Sequence, residues 1–206
     1  MAATSQLALP LSGDASQPAR IVLGAANEAA AKALADPAAW PFRTAVLEGP
    51  PRSGKSLLGR WFAGVHPSAQ VLDDADALPE AEVFHAWNRA QESGAPLLLI
   101  GGGPGWNIAL PDLRSRLSAA LHLAIGEPDD ALLAALLEAH AERRHLVLGD
   151  DAATYLVPRI ERSFAAVEGI VAEIDRLSLE RKVPPNRSVW RDALEAMQGP
   201  RQERLF

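Results

Sequence analysis

Gly49-Pro50-Pro51-Arg52-Ser53-Gly54-Lys55-Ser56 decides how this chain is read. The octet fits GxxxxGK[ST] at every required position, and the context the motif needs stands on both sides of it. Before it, Ala45-Val46-Leu47-Glu48 is a short apolar run of strand character. After it, residues 56–64 (SLLGRWFAG) have helical character and meet stop signals at Gly64 and Pro67. A glycine-rich turn between a strand and a helix aims backbone N–H groups and a helix N-terminus at phosphate oxygens. Lys55 can then neutralise the β- and γ-phosphate charge, and the Ser56 hydroxyl can hold Mg²⁺. Gly49, Arg52, Ser53, Gly54, Lys55, Ser56 and Leu57 are the candidate phosphate-binding residues, and the expected cofactors are ADP or ATP with Mg²⁺.

Working outward, Val71-Leu72-Asp73-Asp74 is an apolar strand ending in carboxylates. Asp73 is placed to serve the Mg²⁺, and Asp74 to polarise an attacking water. Taken without the P-loop, the pair has a lesser reading as an acidic cap on a turn. Only 17 residues, 56–72, separate Lys55 from Asp73. That spacing accommodates one helix and one strand, so the sheet should be small.

The remaining punctuation is that of an α/β core followed by helices. Residues 80–94 (EAEVFHAWNRAQESG) read as an amphipathic helix closed by Gly94. PLLLIGGG (96–103) reads as a buried strand breaking into glycines, and LHLAI (121–125) as the last strand. After Gly126 the strands stop. Residues 129–145 place Leu132, Leu133, Leu136, Leu137 and His140 on one helical face. A shorter helix is predicted over 150–159, a longer one over 159–181, and a last one over 188–197. The predicted organisation is a tether at 1–20, an α/β core at 21–126, a helical module at 127–198 and a tail at 199–206.

Composition narrows the function classes. Of the 206 residues, 48% are apolar and 22% charged, so a folded core is expected. With no cysteine, disulfide frameworks and thiolate zinc sites are excluded. The first residues lack a basic segment followed by a long apolar one, and no apolar run approaches membrane-spanning length, which predicts a cytoplasmic protein. Net charge is −6, and only Lys32 and Lys182 lie outside the P-loop among the lysines. Such a surface disfavours direct duplex binding and favours a protein partner. His66, His85, His122, His140 and His145 show no metal-ligand spacing. Trp40, Trp61, Trp87, Trp106 and Trp190 read as core or interface residues.

The order of these features resembles the Hda family, DnaA-related AAA+ proteins that inactivate the replication initiator DnaA. Gln6-Leu7-Ala8-Leu9-Pro10-Leu11 is similar to the hexapeptide by which that family binds the sliding clamp. Gln6 offers an amide at a pocket mouth, and Leu7, Leu9 and Leu11 offer apolar area on a leash. Residues 21–27 (IVLGAAN) resemble the segment that cradles the adenine, making Val22, Leu23 and Asn27 candidate nucleotide contacts. Leu110 to Leu117 (LPDLRSRL) resembles the Box VII segment that supplies an arginine finger, with Arg116 at the finger position and Arg114 as a fallback. Residues 159–179 resemble the lid helix. The resemblance implies an AAA+ core with a small parallel sheet lacking one edge strand, then an α-helical lid. The family's missing strand would be an outer one, leaving the central pairings intact. The chain also ends where DnaA would begin its DNA-binding domain, an expectation that agrees with the acidic charge.

Two departures from the pattern bear on catalysis. The sensor 1 position, normally polar, falls in Gly101-Gly102-Gly103. The sensor 2 arginine aligns with Ala165, and Arg162, one turn earlier, either substitutes in part at the nucleotide or pairs with a nearby acid. The resemblance therefore implies weak intrinsic hydrolysis, a structural nucleotide (ADP before ATP), and an arginine finger acting in trans on ATP bound to DnaA. The implied partners are the β sliding clamp of DNA polymerase III and DnaA, with a homodimer left open. Gln202-Glu203-Arg204-Leu205-Phe206 fits the looser clamp-binding pattern QxxLF, and equally reads as a polar tail with two apolar residues. The alternatives are an autonomous P-loop ATPase with another partner and, behind it, a small-molecule kinase.

Overall fold

The computed structural model describes residues 21–101 and 106–198. These gather into two compact units, divided between Gly126 and Glu127.

The first unit is built on a four-stranded parallel sheet in the order β2-β3-β1-β4. β1 is Thr44–Glu48, β2 Gln70–Leu72, β3 Leu97–Ile100 and β4 Leu121–Ala124. Thr44 faces Leu97 and Leu47 faces Ile100, while Ala45 faces Leu121 on the other side of β1. Gln70 to Leu72 pairs with Leu97 to Leu99. β3 is buried throughout. That explains its unbroken apolar reading: a parallel strand covered on both faces needs no polar alternation. β2 is short, half-buried and at the edge. The 17-residue spacing before Asp73 has the expected consequence, a small sheet whose central pairings are complete.

Helices α1 (Glu28–Ala35), α2 (Lys55–Val65), α3 (Glu80–Ser93) and α4 (Pro111–Ser118) surround the sheet. Val83, Ala86 and Ala90 of α3 and Leu113 and Leu117 of α4 pack with Val46, Leu97 and Leu99. Each fully buried leucine contributes on the order of 1.5–3 kcal/mol relative to exposure. α2 runs through Gly64 to Val65. The stop comes instead from Pro67, which biases His66 before it away from the helical region. α3 closes on Gly94, whose φ of +70° suits the left-handed helix cap.

The second unit is helical. α5 is Asp130–Arg143, α6 Ala152–Leu156, α7 Phe164–Arg181 and α8 Arg187–Gln198. Leu133 and Leu137 of α5, Ile170, Val171 and Ile174 of α7 and Trp190 of α8 share one core. The start of the long helix differs from the sequence expectation. Pro158 sits in a 3₁₀ turn at Val157–Arg159, and α7 begins only at Phe164. The Ser163 hydroxyl accepts from the Ala166 N–H at 3.1 Å and fixes that start. Asp129 does the same for α5, accepting from the Leu132 N–H at 2.8 Å. Among the described residues no helix is long and apolar enough to cross a membrane.

Candidate functional site

The octet forms the turn between β1 and α2 and the first two residues of that helix. Arg52 has φ +62° and Gly54 φ +86°, so the backbone takes a positive φ twice within three residues before the helix starts. Gly54 occupies the cap position of α2 in the left-handed region, where glycine has no Cβ penalty. Gly49 is required for a different reason: a Cβ there would stand 2.8 Å from the Ile125 Cβ and 3.1 Å from the Ser53 hydroxyl. The first-turn amides of Lys55, Ser56 and Leu57 have no acceptor within the helix and point out of its N-terminus. Lys55 Nζ donates to the carbonyls of Gly49 and Pro50, both at 2.9 Å. An ammonium has three donors, so one remains for an anion.

The Ser53 hydroxyl is buried with no hydrogen-bond partner among the described residues. A buried hydroxyl without a partner costs roughly 1–3 kcal/mol. Together with the glycine cradle and the free amides, that orphan fits a phosphate-bearing ligand. Asp73 and Asp74 follow β2, exposed, and Asp74 has φ +50°, with its N–H donating to Asp73 Oδ1 at 3.1 Å. The acidic and histidine side chains of the described residues form no group of three able to hold a metal. A Mg²⁺ at Ser56 and Asp73 would thus depend on the nucleotide's own oxygens, the usual habit of that ion.

The 21–27 segment precedes α1. Val22 is buried and Leu23 half-buried. The Asn27 amide is turned inward: it donates to the Val22 carbonyl at 2.9 Å and accepts from the Gly24 N–H at 2.9 Å. Asn27 therefore shapes the segment, holding its backbone from the inside. The Gly126 N–H to Ala26 carbonyl bond, 2.9 Å, ties the segment to the chain leaving β4.

α4 is anchored on α3. The Glu80 carboxylate accepts from the amides of Ala109 at 2.6 Å and Leu110 at 2.7 Å, where the chain enters α4. These backbone bonds hold its pKa below the ordinary glutamate value, with Arg114 assisting. Arg116 is half-buried. Its guanidinium lies 4.2 Å from the Trp87 ring centroid and 4.5 Å from that of Phe84, and Nη1 donates to Asn88 Oδ1 at 2.5 Å. Arg114 is exposed and donates twice to the Ile108 carbonyl. Glu80, Phe84 and Asn88 are functional candidates that the sequence does not single out, and Trp87 reads there only as a core or interface residue. Spacing puts the last three on one face of α3, but nothing local says that α4 lies there.

In the helical unit, Arg162 pairs with Asp130 at 3.0 Å, both well exposed. Ala165, the second residue of α7, is exposed and offers no polar group. Gln6, Leu7, Leu9, Leu11, Gln202, Leu205 and Phe206 lie outside the described residues, as do Gly102 and Gly103.

No family model matches the sequence. Solved structures do. Domain III of the Thermotoga maritima replication initiation protein DnaA superposes with a TM-score of 0.72, covering 87% of this chain and 95% of that one at 16% identity. The fold is the AAA+ fold. The replication initiator DnaA bound to AMPPCP and single-stranded DNA gives 0.61 over 79% of this chain and 66% of that chain, at 16% identity. A variant of Thermotoga maritima RuvB gives 0.60 over 83% of this chain and 68% of that chain, also at 16% identity. The match to DnaA domain III spans both the α/β and the helical unit of this chain; at these identities the neighbours establish fold alone.

Proposed function

We propose that this chain is a DnaA-related regulator of replication initiation of the Hda type, which binds the sliding clamp and promotes hydrolysis of ATP bound to DnaA. The observation that carries the reading is the match to DnaA domain III over 87% of the chain, combined with an intact P-loop and an arginine-bearing α4. In this reading the first-turn amides of α2 and Lys55 hold the nucleotide phosphates, Ser56 and Asp73 hold Mg²⁺, and Val22 and Leu23 flank the base. A bound Mg²⁺ supplies charge neutralisation for the phosphates. Gly101 has no side chain of its own to orient an attacking water, and Ala165 no cation, which supports slow intrinsic turnover. ADP then acts as a structural ligand that stabilises the folded chain by mass action.

Arg116 is the finger. A guanidinium placed against another subunit's γ-phosphate can raise the hydrolysis rate by about 10³–10⁵. To reach it, Arg116 exchanges its contacts with Trp87, Phe84 and Asn88 for phosphate oxygens. Clamp binding rests on the 6–11 sequence, where Gln6 and the three leucines supply one amide and an apolar surface, with the 202–206 tail as a second segment of the same kind.

The first test is binding to the sliding clamp of the source organism by wild type, Gln6→Ala and a chain lacking 202–206. Loss with Gln6→Ala supports the adaptor reading. Loss only on truncation moves the contact to the tail, and no binding by wild type refutes the clamp reading. Arg116→Ala should then abolish stimulation of DnaA-bound ATP hydrolysis. A single-turnover ATPase assay on the isolated chain separates this reading from an autonomous ATPase using Asp74.

A further inference from the structure

The C-terminal ends of parallel strands are where an open α/β sheet meets its ligand. At that edge β3 lies beside β1, the strand that runs into the P-loop, and the Gly101 N–H donates to the Leu47 carbonyl at 3.2 Å. The residue at the end of β3 is thus one strand from the phosphate turn, and it has no side chain. Its backbone, with φ +149°, is one that residues with a Cβ rarely adopt. The space is nonetheless filled. After β2 the chain folds over the end of β3, with the Ala75 N–H bound to the Ile100 carbonyl at 2.8 Å. This delivers Asp76: a Cβ on Gly101 would stand 2.7 Å from Asp76 Oδ1, 3.0 Å from its Cγ and 3.1 Å from its backbone nitrogen. A side chain at position 101 would have to displace the exposed Asp76 carboxylate, and the positive φ there favours glycine in any case.

We propose that Asp76 supplies the polar group at the end of β3 and acts as a positioning residue for a Mg²⁺-bound nucleoside polyphosphate in the P-loop. The proposal rests on the nucleotide reading of that loop. The chemistry gives it a distinctive sign. A carboxylate beside a bare polyphosphate repels it, whereas the same carboxylate favours a polyphosphate carrying a divalent cation, by orienting the cation's water ligands. A side chain that only propped the loop would act alike with and without the metal.

The experiment measures ATP affinity of the full chain by calorimetry, in excess MgCl₂ and again in EDTA. For Asp76→Asn, close in shape to the wild-type side chain, affinity in Mg²⁺ should fall roughly 10-fold or more, the size typical of lost outer-shell partners of a metal site. In EDTA it should stay level or tighten, since a negative charge has gone. Equal losses in both buffers, or no loss in Mg²⁺, overturn the proposal. Gly101→Ala is the second variant, because it displaces the carboxylate without removing its charge; the same Mg²⁺-selective loss is expected, and an unchanged affinity overturns the proposal. Lys55→Ala separates failure of the loop from failure of Asp76. If wild type binds no ATP, or Lys55→Ala binds as well as wild type, the P-loop reading itself fails and this one with it. If Lys55→Ala loses binding and Asp76→Asn does not, only the role of Asp76 fails.

Discussion

The contact between Arg116 and Trp87 can be weighed directly. Arg116→Ala removes a guanidinium lying 4.2 Å from the Trp87 centroid and 4.5 Å from the Phe84 centroid, together with a 2.5 Å bond to Asn88. Cation–π contacts run from about 0.5–1 kcal/mol when exposed to about 2 kcal/mol when desolvated. Arg116 is half-buried, so about 1 kcal/mol is expected for its coupling to Trp87. The charged hydrogen bond to Asn88 would add about 1.5–3 kcal/mol if fully dry; after discount for solvent, Arg116→Ala should cost about 2 kcal/mol in all. The assay is urea denaturation of wild type, Arg116→Ala, Trp87→Ala and the double variant, with the α/β unit's transition fitted separately. The cycle subtracts the cavity that Trp87→Ala leaves. A coupling below about 0.3 kcal/mol, the usual error of additivity, would refute the claim that α3 holds this arginine. Arg116→Lys keeps the charge but loses the planar stack and the fork of donors, and should behave more like alanine than like arginine.

Other expectations follow from single contacts. Glu80→Gln should remove an acid-sensitive contribution: with a folded pKa below the ordinary glutamate value, wild-type Glu80 stabilises fully above that value and loses its contribution as pH falls through the folded pKa. Urea midpoints from about pH 6 to about pH 3 should converge for the two proteins at the acid end, the window of an ordinary carboxyl and its depressed form. His140 in α5 titrates below the ordinary histidine value, first because of its burial and then because of Arg143. The unfolded chain binds the extra proton, so stability of the helical unit should rise with pH through that window, and His140→Leu should flatten the rise in the same measurement. Gly49→Ala places a Cβ 2.8 Å from Ile125 Cβ. It should cost about 1–3 kcal/mol of stability and abolish the thermal shift expected when ADP is added to wild type. For wild type, ligand at about 100 times its Kd should stabilise by about 2.7 kcal/mol.

How much of this is legible in the residues depends on the range of the interaction. The Leu97–Ile100 run and the octet before α2 report strand, turn and helix because burial on both faces and phosphate-turn geometry leave local marks. The spacing from Lys55 to Asp73 reports the small sheet, since a chain that short has no room for another crossover. The start of α7 is misplaced by the apolar period although its own signals are present: Ile160 extends that period backwards, but Pro158 and the Ser163 cap override it. The cradle of Arg116 is not legible. Asn88 and Arg116 are 28 positions apart, and no spacing rule joins one helix face to another. Gly101 reads as a missing side chain in sequence; only the fold of the 73–76 turn shows that Asp76 stands in its place.

The anchoring of α4 also constrains how a finger could work here. Glu80 clamps its entry, Arg114 is bound to Ile108, and Arg116 is stacked on α3. The whole helix is therefore preorganised on α3, which cuts the entropy that a free loop would lose on docking. The same contacts oppose departure of Arg116. If they hold it by about 2 kcal/mol, the released form is only about one part in 30 of the isolated chain, at about 1.4 kcal/mol per factor of ten. A phosphate partner must offset that difference before any net affinity or rate appears. Trp87→Ala lowers the barrier to release while leaving Arg116 in place. Under the finger mechanism it should thus preserve or raise stimulation of DnaA-bound ATP hydrolysis, even as it lowers stability. If Arg116 serves only to fasten α4, Trp87→Ala and Arg116→Ala should lower stimulation together. Stimulation kept or raised by Trp87→Ala but lost with Arg116→Ala would separate a stored finger from a structural bolt.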